Sequence, residues 1–211
     1  MTGQQTDRRI ARTRRMIRDA LTKLIEEKGF DAITVSDLTE RADINRGTFY
    51  LHYRDKYDLL RQSEEEILAD IEAISEMSME QLNDDSPVQY EKMEKQIPFL
   101  VHLLVYLGSN SDFMKVILGP RGDLSFHIKL KDIMSRHLIL KLKEWQSGES
   151  SVPIEYIAAY LISADFGIVQ LWLENGMKES AKELAVIMNN ITFQGPARAA
   201  GYRPPNHPRD M

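Results

Sequence analysis

The stretch GTFYLHYRDKYDLL, residues 47–60, packs a glycine, a threonine, tyrosines, a histidine and basic side chains into one short segment. Arg46, immediately before it, can bond bidentately to guanine O6 and N7, Thr48 offers a hydroxyl and a methyl, and Gly47 lets a backbone come close. Tyr50, His52 and Lys56 add a phenol, an imidazole and an ammonium. Such groups can hold phosphates and read base edges. Upstream, Arg8, Arg12 and Arg15 recur at i, i+4 and i+7, a basic stripe along one face of a helix. Taken alone, that stripe reads better as solvated surface.

Charge distribution supports the recognition reading. The net charge of −5 would argue against nucleic acid if it were uniform. Residues 1–60, however, carry 12 Lys/Arg against 10 Asp/Glu, and the rest carries 15 against 22. Catalysis finds no support. The chain has no cysteine, which excludes disulfides and thiolate metal sites. It has no Gly-rich phosphate loop, and its five histidines, His52, His102, His127, His137 and His207, show no metal-ligand spacing. The expectation is therefore no enzyme, no metal and no cofactor. Neither an apolar leader nor a spanning run stands out, since the longest apolar run, 99–107, is short and contains His102. A cytoplasmic location without membrane association follows as the default.

The elements that must position these groups are helical. Ile10, Ile17, Leu21, Leu24 and Ile25 set a first helix over 9–28, with Gly29 as its stop. Thr34 followed by Asp37 is a capping-box signature for a short helix ending near Ala42. Asn45 is a good N-cap for a third helix over 46–53, and Asp55 caps a long fourth one. Two short helices joined by a tight turn form a helix-turn-helix, whose second helix enters the DNA major groove. Helical spacing turns Ile44, Phe49 and Tyr53 toward Ile33, Val35, Leu38 and Ala42, and leaves Arg46, Gly47, Thr48, Tyr50, Leu51 and His52 outward or at the helix ends. Tyr57 has no obvious place in this scheme.

The segment from Thr34 to Leu60 closely resembles the helix-turn-helix of TetR-type transcriptional regulators, through Ala42, Thr48-Phe49-Tyr50-Leu51-His52-Tyr53, Lys56 and Leu59-Leu60. It departs from the family at the turn, where Asp43 replaces the usual glycine; aspartate is among the few residues that tolerate a left-handed turn. The resemblance implies phosphate contacts from Thr34, Tyr50 and Lys56, and base-edge or nearby backbone contacts from Arg46, Gly47, Thr48 and His52. It also makes Arg12 and Arg15 electrostatic footing on DNA.

Beyond this segment no stretch alternates with the period of a strand, so the chain is expected to be all-α: an N-terminal three-helix helix-turn-helix domain joined by a long helix to a helical ligand-binding and dimerisation domain. The expected parts are a DNA-binding domain over 1–56, a regulatory and dimerisation domain over 57–193, and a flexible tail over 194–211 rich in Gly and Pro. After a polar break at NDDSP, helices are expected over 88–108, 112–118, 124–145, 154–175 and 180–191. The helix over 154–175 is apolar on most of its circumference, with Ala159, Ser163 and Gly167 spaced by four, and must be covered on every side. The resemblance implies that it and the helix over 180–191 form a homodimer interface, which two heads on a palindromic double-stranded operator require.

The resemblance further implies a small-molecule effector. Polar or aromatic groups within apolar runs are the candidates to hold it: His102, Tyr106, Phe113, Met114, His127, Met134, Tyr160, Asp165, Phe166 and Gln170. Each is also consistent with ordinary hydrogen-bonded packing. The stretch GPRGDLSFHIKLKD marks a subgroup of TetR-type C-terminal regions without indicating a ligand. The expected function is a dimeric repressor released from its operator by that effector. The alternative is a co-regulator or activator controlled by a protein partner.

Overall fold

The computed structural model describes residues 2–81, 89–119, 122–146, 148 and 150–202. Its helices are α1 (Thr2–Lys28), α2 (Val35–Arg41), α3 (Arg46–Tyr50), α4 (Lys56–Gln81), α5 (Gln89–Ser109), α6 (Ser111–Leu118), α7 (Leu124–Trp145), α8 (Ile154–Glu174), α9 (Ala181–Gln194) and α10 (Pro196–Ala199). Among the described residues all regular structure is helical, as the periodicity required. NDDSP, Val88, Pro120, Arg121, Ser147, Glu149 and residues 203–211 lie outside the described residues.

Two compact units emerge, and they do not follow the expected boundary at residue 56. One comprises 1–73 with 110–133, the other 74–109 with 134–211, so the divisions fall inside α4 and α7. The reason lies in the first unit's packing. Ile17, Leu21 and Leu24 of α1, Leu38 of α2, Phe49, Tyr53 and Leu59 close a core that also takes in Val116 of α6. The helices α1, α2 and α3 alone bury little apolar surface, and α6 supplies more of it. Arg18 fastens the same contact: its Nη2 donates to Asn110 Oδ1 at 3.2 Å, and its guanidinium lies 5.8 Å from the Phe113 ring.

Caps fix where the short helices begin and end. Thr34 and Asp37 complete the expected capping box of α2. The turn after α2 closes with Ile44 N–H donating to Thr39 O at 3.0 Å and Asp43 N–H donating to Glu40 O at 3.2 Å, the paired bonds of a Schellman motif. Asp43 sits at φ 51°, so aspartate does take the left-handed position that glycine would fill. Asn45 caps α3 by accepting from Thr48 N–H at 2.7 Å. This helix ends at Tyr50, three residues before the expected Tyr53; His52 and Tyr53 follow in a turn, both donating backbone N–H to Phe49 O.

In the second unit α5 and α9 pack along each other, and α8 contributes Ala158, Ile162, Trp172 and Leu173 to the interior. Gly108 admits the Trp172 ring, whose Cη2 lies 3.3 Å from where a Cβ would stand. Lys141 is buried with its ammonium 4.9 Å from the Phe99 ring, a cation–π contact in the interior. Ser180 and Glu183 cap α9 reciprocally. The tail read as flexible is structured at its start: Gly195 at φ 76° turns the chain, Pro196 opens α10, and α10 packs on α9. A helix-compatible proline at the first position explains the difference. By length and composition α8 is also long and apolar enough to cross a membrane, although Glu155 and Asp165 interrupt its apolar run. Apolar core helices share that property.

Candidate nucleic-acid interface

The recognition face is built from one buried anchor and a set of exposed groups. Phe49 is fully buried and makes edge contacts with Tyr50 at 5.5 Å between ring centroids. Around it Arg46, Gly47 and Tyr50 are exposed, Thr48 and His52 half-buried. Leu51 is 82% exposed, too open for a packing role. The Thr48 hydroxyl donates to Asn45 Oδ1 at 3.0 Å, which leaves its lone pairs and methyl facing out. Burial pushes the His52 imidazole below its ordinary value, and the Arg14 charge adds to that, so at neutral pH the ring presents one donor and one acceptor rather than a cation.

The expected phosphate contacts divide. Tyr50 is exposed and available. Thr34 is exposed, but its hydroxyl donates to Asp37 Oδ2 at 2.7 Å and accepts from Asp37 N–H. Lys28 stands 2.8 Å from the same carboxylate, which is held well below the usual carboxylate range by that ammonium first and Thr34 second. The α2 N-terminus is thus partly neutralised from within. Lys56 is half-buried: Nζ donates to Phe30 O at 3.0 Å and Asp31 O at 2.8 Å and lies over the rings of Phe30 and Tyr57. Two of its three N–H bonds are used, and one remains for a phosphate. Tyr57 now has a place, edge-on to Phe30 at 5.3 Å. Asp55 caps α4 by accepting from Asp58 N–H, and the Asp58 carboxyl, bonded by Arg54 N–H and then by Gln62, is held down to about 2.

On α1, Arg8, Arg12 and Arg15 are exposed, consistent with a stripe open to DNA. Sequence reasoning passed over Arg14. Its Nε donates to Tyr53 Oη at 3.3 Å and its Nη2 to Gln62 Oε1 at 3.1 Å, tying α1 to the turn after α3 and to α4. The available signal was position: Arg14 stands three residues before buried Ile17, at the edge of the apolar stripe, where an arginine needs partners.

The proposed effector-binding residues are divided between the units. Phe113, Met114 and His127 belong to the first, where Phe113 and Met114 are core and a His127 ring nitrogen lies 2.7 Å from Ile117 O. His102, Tyr106, Met134, Tyr160, Asp165, Phe166 and Gln170 belong to the second. There His102 and Tyr160 are exposed, because they occupy the faces of α5 and α8 opposite Leu103, Leu104, Ala158 and Ile162. Tyr106, Met134, Asp165, Phe166 and Gln170 are half-buried. Burial alone pushes the Asp165 carboxyl up to about 6.

With this geometry in hand, comparison with known proteins is decisive. Residues 17–62 match the family described as bacterial regulatory proteins, tetR family, and residues 94–194 match a transcriptional regulator C-terminal region of TetR type. The chain belongs to the TetR family of transcriptional regulators. A relative from Bacillus subtilis (strain 168), the uncharacterized HTH-type transcriptional regulator YxbF, is 44% identical over 59 residues, 28% of this chain. The match spans 16% of that relative's length. Among solved structures, the fatty acid degradation regulator FadR from Bacillus halodurans is 16% identical with a TM-score of 0.63, covering 87% of this chain and 96% of that one. FadR from Bacillus subtilis, in complex with stearoyl-CoA, is 17% identical with a TM-score of 0.60, covering 85% and 97%. These likenesses show the fold, all-α with an N-terminal helix-turn-helix.

Proposed function

We propose that this TetR regulator is a sequence-specific repressor that binds a palindromic operator as a homodimer and leaves it when a small molecule occupies the second unit. The observation that carries the DNA part is α3, capped at its start by Asn45 and anchored by Phe49, with Arg46, Gly47, Thr48, Tyr50 and His52 on its open side. Phosphate contacts from Tyr50 and Lys56 set register, and Arg46 and Thr48 select bases. A single head of this size reads few base pairs, so two must act together. Support for dimerisation is α8, whose outer face exposes Tyr156, Ala159, Tyr160, Ser163, Gly167 and Leu171 in one continuous strip.

Support for an effector is the second unit's half-buried Asp165, Phe166 and Gln170 on α8, together with the FadR neighbour that holds stearoyl-CoA. An effector must bind the DNA-free conformation better than the DNA-bound one. The test is selection of bound sequences from random DNA, followed by titration of the resulting complex with acyl-CoA thioesters and other candidate metabolites. A palindromic consensus released by one ligand class is the expected result. A non-palindromic consensus, or a complex that only a protein partner disturbs, overturns the corresponding part.

A further inference from the structure

A cleft of about 200 Å³ lies within the first unit. It is lined by Ile10, Ala11, Arg14, Arg15 and Arg18 of α1, by Tyr53, and by Ser63 and Glu66 of α4. At ~30 Å³ per water it has room for roughly seven solvent molecules. Three guanidiniums against one carboxylate leave an excess of two positive charges. Arg14 bonds to neutral partners, Tyr53 and Gln62, and Arg15 makes no bond among the described residues. Arg18 donates from Nη2 to Asn110 Oδ1, and its Nη1 stands 3.6 Å from Glu66 Oε2, an ion pair too long for a hydrogen bond. Tyr53 is buried and its hydroxyl accepts from Arg14, yet its own proton has no acceptor among the described residues. The Ser63 hydroxyl donates to Leu59 O and so contributes no donor.

We propose that this cleft binds a phosphate group. A phosphate monoester carries close to two negative charges at neutral pH and three acceptor oxygens, which match the charge excess, the free guanidinium N–H groups and the unused Tyr53 proton. A monocarboxylate would leave one cation uncompensated. Ile10 and Ala11 give the wall against which a carbon substituent rests. Because Arg14 also ties α1 to the turn after α3, occupancy is felt at the recognition helix. The phosphate comes either from a soluble monoester or from the operator backbone, and the chemistry of capture is the same.

The experiment titrates the full-length protein with inorganic phosphate and with methyl phosphate at constant ionic strength, followed by ³¹P NMR and calorimetry, with chloride as the control. Saturable binding that chloride does not reproduce is expected, weakened by at least about tenfold in Arg18→Gln and in Tyr53→Phe. Ala11→Leu, at an exposed helix position, narrows the cleft without altering charge and should weaken binding while leaving the circular dichroism spectrum unchanged. Repeating the titration with saturating operator separates the sources. Persistence of binding on the complex identifies a soluble phosphate ligand, and displacement by operator together with weaker operator binding by Ala11→Leu identifies a backbone phosphate. Absence of saturable binding, or equal binding by wild type and Ala11→Leu, overturns the proposal.

Discussion

Helices α3 and α8 both leave one side uncovered, and they do so in opposite ways. The five residues of α3 are held by their own unit at both ends and from behind: Asn45 at the N-terminus, Phe49 in the core, Leu51 N–H and Tyr53 N–H bonded back into the helix. What remains open is polar and basic, apart from Leu51. The 21 residues of α8 have no side-chain cap bond at the start, and their open strip is aromatic, aliphatic and small. A face fixed from behind and polar in front is preorganised for a hydrated polyanion, because little further ordering is needed on contact. A face that exposes Tyr156 at 72% and Leu171 at 58% gains free energy only when another apolar surface covers it. One exposed surface is complete in itself, and the other is half of the interface we propose.

The largest expected effect follows from that distinction. Nothing lies within 4 Å of a Cβ built on Gly167, so Gly167→Glu fits the single chain and improves helix propensity. At the proposed dimer interface it buries an unpaired charge. Sedimentation should show monomers, and operator affinity should fall by about 10²- to 10⁴-fold as the second head's contribution is lost. A dimer that survives this substitution would move the interface away from α8. The next effect lies on the same helix. Burial holds the Asp165 carboxyl at about 6, above its ordinary 3.8, so the folded state favours the protonated form. The stabilisation is fully present below about 3.8 and is lost as pH rises through about 6. Thermal denaturation should therefore show Asp165→Asn more stable than wild type at pH 8 by up to about 3 kcal/mol, with the difference shrinking toward pH 4. Glu64 in the first unit, pushed up to about 7 by burial and then by Asp123, has the same sign.

The two helices also differ in how far the sequence disclosed them. For α3 the spacing of Phe49 and Tyr53 against Leu38 and Ala42, together with the caps Thr34 and Asn45, was legible because each is a local rule acting over three or four residues. The left-handed Asp43 was legible for the same reason. What stayed hidden depends on partners distant in sequence: Lys56 bonding to the carbonyls of Phe30 and Asp31, Arg14 bonding to Tyr53, and α6 joining the core of the first unit through Val116. For α8 the apolar circumference was plain, but not which residues face inward. A helix apolar nearly all round has little amphipathic asymmetry to read, and so nothing in the spacing told exposed Tyr160 from buried Ile162.

Two smaller effects test whether the face of α3 is as complete as its bonding implies. Arg46 is exposed and makes no bond among the described residues, so Arg46→Ala should leave the melting temperature unchanged and cost about 1–3 kcal/mol in operator binding, with relaxed preference at one base pair. Loss of stability in this variant would mean that the side chain serves the fold rather than the groove. Lys56→Ala should behave differently. It removes two bonds to backbone carbonyls, costing on the order of 1 kcal/mol of stability, and one phosphate contact, which lowers the slope of log affinity against log salt by about 0.9 for all sequences alike. An unchanged slope with reduced stability would assign Lys56 wholly to holding the end of α1 against α4, and would leave Tyr50 to carry the phosphate contact at that end of the recognition helix.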